Sequence, residues 1–284
     1  MSTEVSSTRF SHKSQGDKRP MKRQIDDGNA IEYDKRGNGT PLVLLHAFPM
    51  NNAMWRGQID FLAREFKVIA PNLRGIGTTS PFPSAPSVEQ MAHDVAALLA
   101  DMNLAQPTIL CGLSMGGYVA LAFARLYPQR LGALVLCDTQ AAPDSPEARA
   151  KREENIAFAQ IHSSSELLER MLPALLGETT RATRPKVVEA VRQMAHDLEP
   201  QALVQLLQAL RDRPDATPHL GQIKVPTLIL CGLEDSITPP EVAKLLAHSI
   251  PHAELHLIPQ AGHLSNLERP QDFNKHLMAF LRSL

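Results

Sequence analysis

The chain has 284 residues, with 29 Lys and Arg against 30 Asp and Glu, so its formal charge is −1. At 43% hydrophobic and 21% charged it has the make-up of a globular protein, too apolar for disorder throughout. The balanced charge offers no basic face for nucleic acid or an anionic membrane surface. No apolar run approaches the roughly 18 residues of a membrane span. Residues 1–23 stand apart, with six Lys/Arg, two acids and many serines. They lack the apolar stretch of a secretory signal and are expected to form a disordered tail.

In chain order, Arg23–Ile25 and Ala30–Tyr33 flank Asp27-Gly28, a hairpin signal. Short, nearly continuous apolar runs follow at Leu42–Leu45, Val68–Ala70, Thr108–Cys111, Ala133–Cys137, Thr227–Cys231 and Leu255–Ile258. Continuous rather than alternating runs predict strands covered on both faces, as in a parallel sheet. Helical patterns lie between them. Ser87-Val-Glu-Gln90 reads as a capping box, with Val88, Met91, Val95, Leu98, Leu99 and Met102 at helical spacing behind it. Further helices are predicted over Met115–Leu126 and Gln271–Phe280. The alternation implies an α/β fold with a mostly parallel central sheet flanked by helices. Residues 141–219 break the alternation: they hold helical stretches at Pro146–Ile161, Leu167–Leu176, Lys186–Ala195 and Gln201–Leu210 and no convincing strand. They read as a helical insertion, so that 24–140 and 220–284 form one core. Cys111, Cys137 and Cys231 each close an apolar run. Their odd number argues against a disulfide framework, and buried thiols in a reducing, cytoplasmic setting are expected.

The chemistry is concentrated at Gly112-Leu-Ser114-Met-Gly116-Gly117, where a strand is expected to turn directly into a helix. A serine on so tight a turn needs very small neighbours, which Gly112 and Gly116 supply, and its hydroxyl then projects from the sheet edge. A serine hydroxyl is a poor nucleophile near neutrality, so it needs a base, and the base needs an orienting acid. Downstream, Gly232-Leu-Glu-Asp235 follows one strand and Gly262-His263 follows the last, in the order serine, acid, histidine that this arrangement requires. Asp138, just past another strand, and Glu234 are rival acids. Negative charge developing on a carbonyl oxygen needs N–H donors. The backbone N–H groups of Met115 and of Phe48, in His46-Ala47-Phe48-Pro49, are the candidates. His46 itself reads as structural. No metal-ligand spacing, phosphate loop or dinucleotide motif is visible, so neither a metal nor a cofactor is expected.

These segments resemble the α/β-hydrolases from about residue 25 onward. His46-Ala-Phe-Pro is similar to the family's oxyanion loop, Asn72-Leu-Arg-Gly75 to its Asp-x-Arg-Gly segment, Gly112–Gly117 to its nucleophile elbow, and the Asp235 and His263 loops to its acid and base loops. Ala47 and Asn72 depart from the family's usual Gly and Asp. The pattern is similar to 3-oxoadipate enol-lactonases and to cofactor-free perhydrolase-type esterases. The resemblance implies Ser114 as nucleophile, His263 as base, Asp235 as orienting acid, Phe48 and Met115 as oxyanion donors, and 141–219 as a lid. It implies a small ester or lactone substrate and no nucleic-acid or membrane partner; monomer and homo-oligomer stay equally open. A carbon–carbon bond hydrolase of diketones and a slow-turnover receptor are the alternatives. If the substrate carries a carboxylate, one of the insertion's arginines should point inward (Arg149, Arg152, Arg170, Arg181, Arg184, Arg192, Arg211 or Arg213). The alternative is an apolar lid built on Phe158, Leu167, Leu168, Met171 and Leu172.

Overall fold

The computed structural model describes residues 21–25, 29–82, 86–104, 106–194 and 198–284. The Asp27-Gly28 turn, most of the basic tail and Ala195 therefore lie outside the described residues. The strands are β1 (Met21–Gln24), β2 (Ala30–Arg36), β3 (Pro41–Leu45), β4 (Lys67–Pro71), β5 (Thr108–Leu113), β6 (Leu131–Cys137), β7 (Thr227–Gly232) and β8 (Glu254–Ile258). They form one sheet in the order β1-β2-β4-β3-β5-β6-β7-β8. The β1–β2 and β2–β4 pairs are antiparallel, and all later pairs are parallel. The central runs are covered throughout: every residue of β3, β5 and β7 is buried. β8 differs, with only Ile258 buried. It is one of the two edge strands, and among the described residues no further strand pairs with its outer flank.

Helices α1 (Arg56–Leu62), α2 (Val88–Asp101), α3 (Met115–Leu126), α9 (Pro240–Ser249), α10 (Ser265–Glu268) and α11 (Pro270–Ser283) belong to the strand-and-helix alternation. The Ser87 hydroxyl accepts the Gln90 N–H at 3.1 Å, but the Gln90 side chain turns to Asp94 instead of closing the box. Asp94 is occupied in turn by Arg74 in a buried two-pronged ion pair, 2.6 and 2.7 Å. The reciprocal box forms elsewhere, between Ser163 and Glu166.

Between β6 and β7 the chain forms five helices: α4 (Pro146–Ala159), α5 (Ser164–Leu175), α6 (Glu178–Thr183), α7 (Pro185–Met194) and α8 (Pro200–Arg211). The short α6 has no counterpart in the hydrophobic periodicity, since only Thr180 of its six residues is buried. These helices pack on the loops at the C-terminal edge of the sheet. Ile156, Leu203 and Leu207 share one apolar cluster with Phe48, Ile76 and Met115. Leu168, Leu172 and Val191 share a second with Met50, Met54 and Trp55. Among the described residues no helix is long and apolar enough to cross a membrane.

His46 and Asn72 hold the loops that follow β3 and β4. The fully buried His46 ring accepts the Leu73 N–H at Nε2, 2.9 Å, which leaves Nδ1 to donate to Ala47 O at 3.0 Å. Asn72 accepts the Asn52 N–H at 2.8 Å, and its carbonyl accepts the Thr79 hydroxyl. Burial pushes the His46 pKa down from 6.5 to about 4, against a smaller opposing pull from Ala47 O. The unfolded chain thus binds a proton that the folded chain refuses. His46 contributes stability above pH 6.5 that is lost as pH falls towards 4, on the order of 3 kcal/mol in all. In thermal melts the transition temperature should fall across that window. His46→Gln should lower it at pH 7 yet flatten its decline between pH 6.5 and 4; an unchanged slope would contradict this account.

Candidate active site

Ser114 stands at the joint of β5 and α3, with φ +53° and ψ −112°. That region is unfavourable for a residue with a side chain, and close packing leaves no alternative. A Cβ on Gly112 would lie 2.2 Å from Gly116 O, and one on Gly116 would lie 2.1 Å from Leu45 O. Only glycine lets the strand, the turn and the helix approach this closely. The Ser114 N–H donates to Cys137 O at 2.9 Å, and its carbonyl accepts the Thr139 hydroxyl at 2.9 Å, so the neighbouring strand end fixes the turn.

Three loops converge here. His263 Nε2 lies 2.8 Å from Ser114 Oγ, and His263 Nδ1 lies 2.8 Å from Asp235 Oδ2. His263 and Asp235 are 1% and 3% exposed. Asp235 also accepts the Thr238 hydroxyl at 2.7 Å and the N–H groups of Ile237 and Thr238 at 2.8 and 3.0 Å. With Asp235 on Nδ1, the proton belongs on that nitrogen and Nε2 is free to accept from Ser114. The amide of Met115 lies at the same β5–α3 joint as Ser114 and that of Phe48 in the loop after β3, and among the described residues neither has a hydrogen-bond acceptor. The Phe48-Pro49 peptide is cis. Ala47 is buried, so its methyl fits beneath the loop.

The rival acids are placed differently. Of Asp235, Asp138 and Glu234, only Asp235 hydrogen-bonds the His263 ring. Glu234 accepts the Thr179 N–H at 2.9 Å and the Thr179 hydroxyl at 2.5 Å. Asp138, with φ +45°, accepts the Gly232 N–H at 2.8 Å and the Ser265 hydroxyl. Burial and the nearby Asp235 charge push the Asp138 carboxyl well above the usual carboxylate range. Asp235 moves the other way: burial opposes its charge, but the His263 ring and the Thr238 donors outweigh it and hold it below that range. Donor atoms of Asp138, Asp235 and Cys231 lie within 4.8 Å of one another, a cluster that sequence spacing does not reveal because the ends of two strands, β6 and β7, supply it. Both carboxylates are already occupied by hydrogen-bond donors, and burial pushes the Cys231 thiol up, so it keeps its proton. All three cysteines are buried.

This geometry sits on a fold that known proteins share. Residues 40–270 match the alpha/beta hydrolase fold family. The chain belongs to that family. A thermophilic esterase from Thermogutta terrifontis superposes with a TM-score of 0.88 at 38% identity, over 93% of this chain and 98% of that one. An enol-lactonase from Burkholderia xenovorans LB400 superposes with a TM-score of 0.84 at 27% identity, over 92% and 100%. By sequence, 3-oxoadipate enol-lactonase 2 from Acinetobacter baylyi is 27% identical over 248 residues, 85% of this chain and 88% of that protein.

The α/β-hydrolase loops carry groups that the sequence pattern did not single out, notably Thr139, Ser265 and Glu268. Each acts through a contact with residues distant in the chain, and only the five-residue step from His263 to Glu268 hints at one of them. The insertion's arginines are mostly engaged. Arg149 and Arg211 bind Asp212, Arg152 and Arg213 bind Asp144, Arg170 binds Glu154 and Arg192 binds Glu169. Arg184 donates to Glu268 O at 2.5 Å, and Arg181 is exposed. Arg213, 5% exposed, stacks its guanidinium 4.3 Å from the centre of the Tyr118 ring.

Burial disfavours a charged His263 ring, but the Asp235 carboxylate at Nδ1 prevails, with smaller contributions from Asp138 and then Glu268, and raises its pKa above 6.5. NMR titration of the ring protons should give a midpoint above 6.5. In Asp235→Asn, with the attraction gone and burial left, the midpoint should fall below 6.5. An unmoved midpoint would mean that Asp235 does not govern the ring.

Proposed function

We propose that the chain hydrolyses a small, uncharged carboxylic ester or lactone through an acyl-enzyme on Ser114. The observation that carries this reading is the unbroken relay from Ser114 Oγ to His263 Nε2 and from His263 Nδ1 to Asp235, each step 2.8 Å. In this mechanism His263 takes the hydroxyl proton as Ser114 Oγ forms a bond to the carbonyl carbon. The N–H groups of Phe48 and Met115 stabilise the oxyanion, and Asp235 stabilises the imidazolium. The tetrahedral adduct then collapses, breaking the carbon–oxygen bond to the alcohol, which leaves with the proton from His263. Water, deprotonated by His263, attacks the acyl carbon, and the second adduct breaks its bond to Ser114 Oγ, which takes the proton back from His263 as the acid leaves. A lactone follows the same steps with its alcohol still tethered to the acyl group. The similarity to an esterase at 38% identity favours ester chemistry over diketone cleavage.

The helices of residues 141–219 act in this reading as the lid that shapes the acyl pocket. A buried substrate carboxylate would need a cation or amide to meet it. Seven of the eight arginines considered for that role hold protein acceptors, and Arg181 faces solvent. The cluster that contains Phe48 and Met115 continues into Ile156, Leu203 and Leu207, which suits an apolar acyl group.

Ser114→Ala should lower kcat on p-nitrophenyl acetate by several orders of magnitude while the fold persists. Near-native turnover in the folded variant would end the serine-nucleophile reading. Asp235→Asn should lower kcat by about 10⁴-fold, and Asp138→Asn far less; reversed losses would move the acid to the end of β6. Because the base must be neutral, kcat/KM should decline on acidification with a midpoint above 6.5. For substrate class, kcat/KM should be compared for one ester ending in a carboxylate and one ending in a methyl of similar size. The methyl ester should lead by tenfold or more, about 1.4 kcal/mol. A carboxylate preference of that size would favour an enol-lactonase-like pocket instead.

A further inference from the structure

His263 is held from two sides: Asp235 grips its ring, and a different carboxylate grips the backbone around it. Glu268, 2% exposed, accepts the N–H groups of Gly262 and Leu264 at Oε1, 2.9 and 3.2 Å. These are the residues immediately before and after His263. Its other oxygen, Oε2, accepts the Gly177 N–H at 2.9 Å, from the junction of α5 and α6 in the insertion. Arg184, just past α6, donates to the Glu268 carbonyl. The two backbones nearly touch at this junction: a Cβ on Gly262 would lie 2.2 Å from Gly177 N, and one on Gly177 would lie 2.8 Å from Gly262 N. Glu234, adjacent to Asp235, takes the Thr179 N–H and hydroxyl two residues further along. Residues 177–184 are therefore fastened to both the acid loop and the base loop.

We propose that Glu268 is a positioning residue for His263, and that through it the helical insertion sets the approach of the ring to Ser114. This rests on the serine-hydrolase reading above. The His263 Nε2–Ser114 Oγ contact of 2.8 Å leaves little room, because a hydrogen bond of this kind is lost beyond about 3.5 Å. The side chain of His263 can hold that distance only if its backbone is held, and the two amides on Glu268 Oε1 bracket that backbone. Removing the carboxylate leaves three buried N–H groups without acceptors and frees the loop to shift. A displacement near 1 Å at a reacting group typically lowers the rate about 100-fold. The carboxylate also acts on charge. His263 is faced by Asp235 from the loop after β7, Asp138 from the end of β6 and Glu268 from α10, while the nearby cation Arg184 is bound to the Glu268 carbonyl. The Glu268 charge favours the imidazolium that forms as Ser114 gives up its proton.

The test uses the full chain, with Glu268→Gln and Gly177→Ala as variants and Ser114→Ala as control. Glutamine leaves one oxygen for the loop amides, sets an N–H donor against Gly177 N–H and removes the charge. Alanine at 177 crowds the Glu234 carboxylate, 2.5 Å away, and Gly262 N, 2.8 Å away, and leaves every charge in place. The measurements are kcat and KM on p-nitrophenyl acetate across pH, the rate at which a fluorophosphonate labels Ser114, and thermal melts. Both variants should keep KM within about twofold and lose about 10- to 100-fold in kcat and labelling rate. The acid limb of kcat/KM should move to lower pH in Glu268→Gln and stay in place in Gly177→Ala. Wild-type kcat and labelling in a folded Glu268→Gln, or a loss of melting temperature with neither rate nor acid limb changed, would overturn the proposal. If Glu268→Gln does not fold, Gly177→Ala decides it, and wild-type labelling there would likewise overturn it. Residual turnover in Ser114→Ala would instead strike at the serine-hydrolase reading. A dead Ser114→Ala beside an unimpaired Glu268→Gln removes only the positioning role.

Discussion

Three backbones crowd into the space of a few ångströms where β5 turns into α3, and every functional distance in the molecule descends from that crowding. Gly112 lies against Gly116, and Gly116 lies against the end of β3. The elbow can close only with Ser114 in a left-handed conformation, which aims the hydroxyl out of the sheet edge. Strain of this sort, on the order of 1–3 kcal/mol, persists where the surroundings over-determine it. Here the apolar sheet on one side and α3 on the other leave the turn no lower-energy route. A rigid serine is useful only if its partners are equally rigid, and that requirement propagates outward through the loops after β6, β7 and β8.

Those loops are stiffened by buried carboxylates in addition to the apolar packing of Ala141, Ala261 and Leu264. Asp235 accepts two backbone amides and a hydroxyl in addition to the His263 ring. Asp138 joins the start of the acid loop at Gly232 to the base loop at Ser265. Glu268 joins the base loop to the insertion. Buried charge is unfavourable unless its acceptors are filled, and each of these groups answers that demand with short bonds to neighbouring loops. The same proximity places unlike acidities side by side: Asp235 is held charged by the imidazole, while Asp138 is driven towards its neutral form by burial and by Asp235. Two negative charges so close together in so dry a place are not both tolerated.

Much of this was legible in the amino-acid order, because strong local rules write themselves into short windows. The buried central strands follow from continuous apolar runs, and α3 follows from its periodicity and from Pro128 beyond its end. Ser114, Asp235 and His263 are visible because each lies in a short glycine-containing motif just past a strand. What lay hidden depends on pairing across the chain. The Ser87 box stays half closed because Gln90 is drawn to Asp94, and Asp94 is there to meet Arg74, twenty residues upstream. The Glu268 joint unites residues 91 positions apart, which no local window spans. Most arginines of the insertion looked available in sequence because their acceptors lie elsewhere in the chain: Asp144 for Arg152 and Arg213, Glu154 for Arg170, Glu169 for Arg192 and Asp212 for Arg149.

The joint between Gly177 and Gly262 also bears on how such a protein can be rebuilt. An excursion between β6 and β7 looks like a module that could be exchanged between homologues, with Ser114, Asp235 and His263 left on the scaffold. The seam, however, is not at the chain crossings. Residues 177–184 adhere to the scaffold's acid and base loops through Glu234 and Glu268, and a Cβ on either glycine would force the contact to shift. A chimera cut at the ends of the insertion would import a foreign surface against the base loop. One that retains the recipient's own Leu176–Arg184 and exchanges the helices on either side would carry the graft without disturbing the histidine.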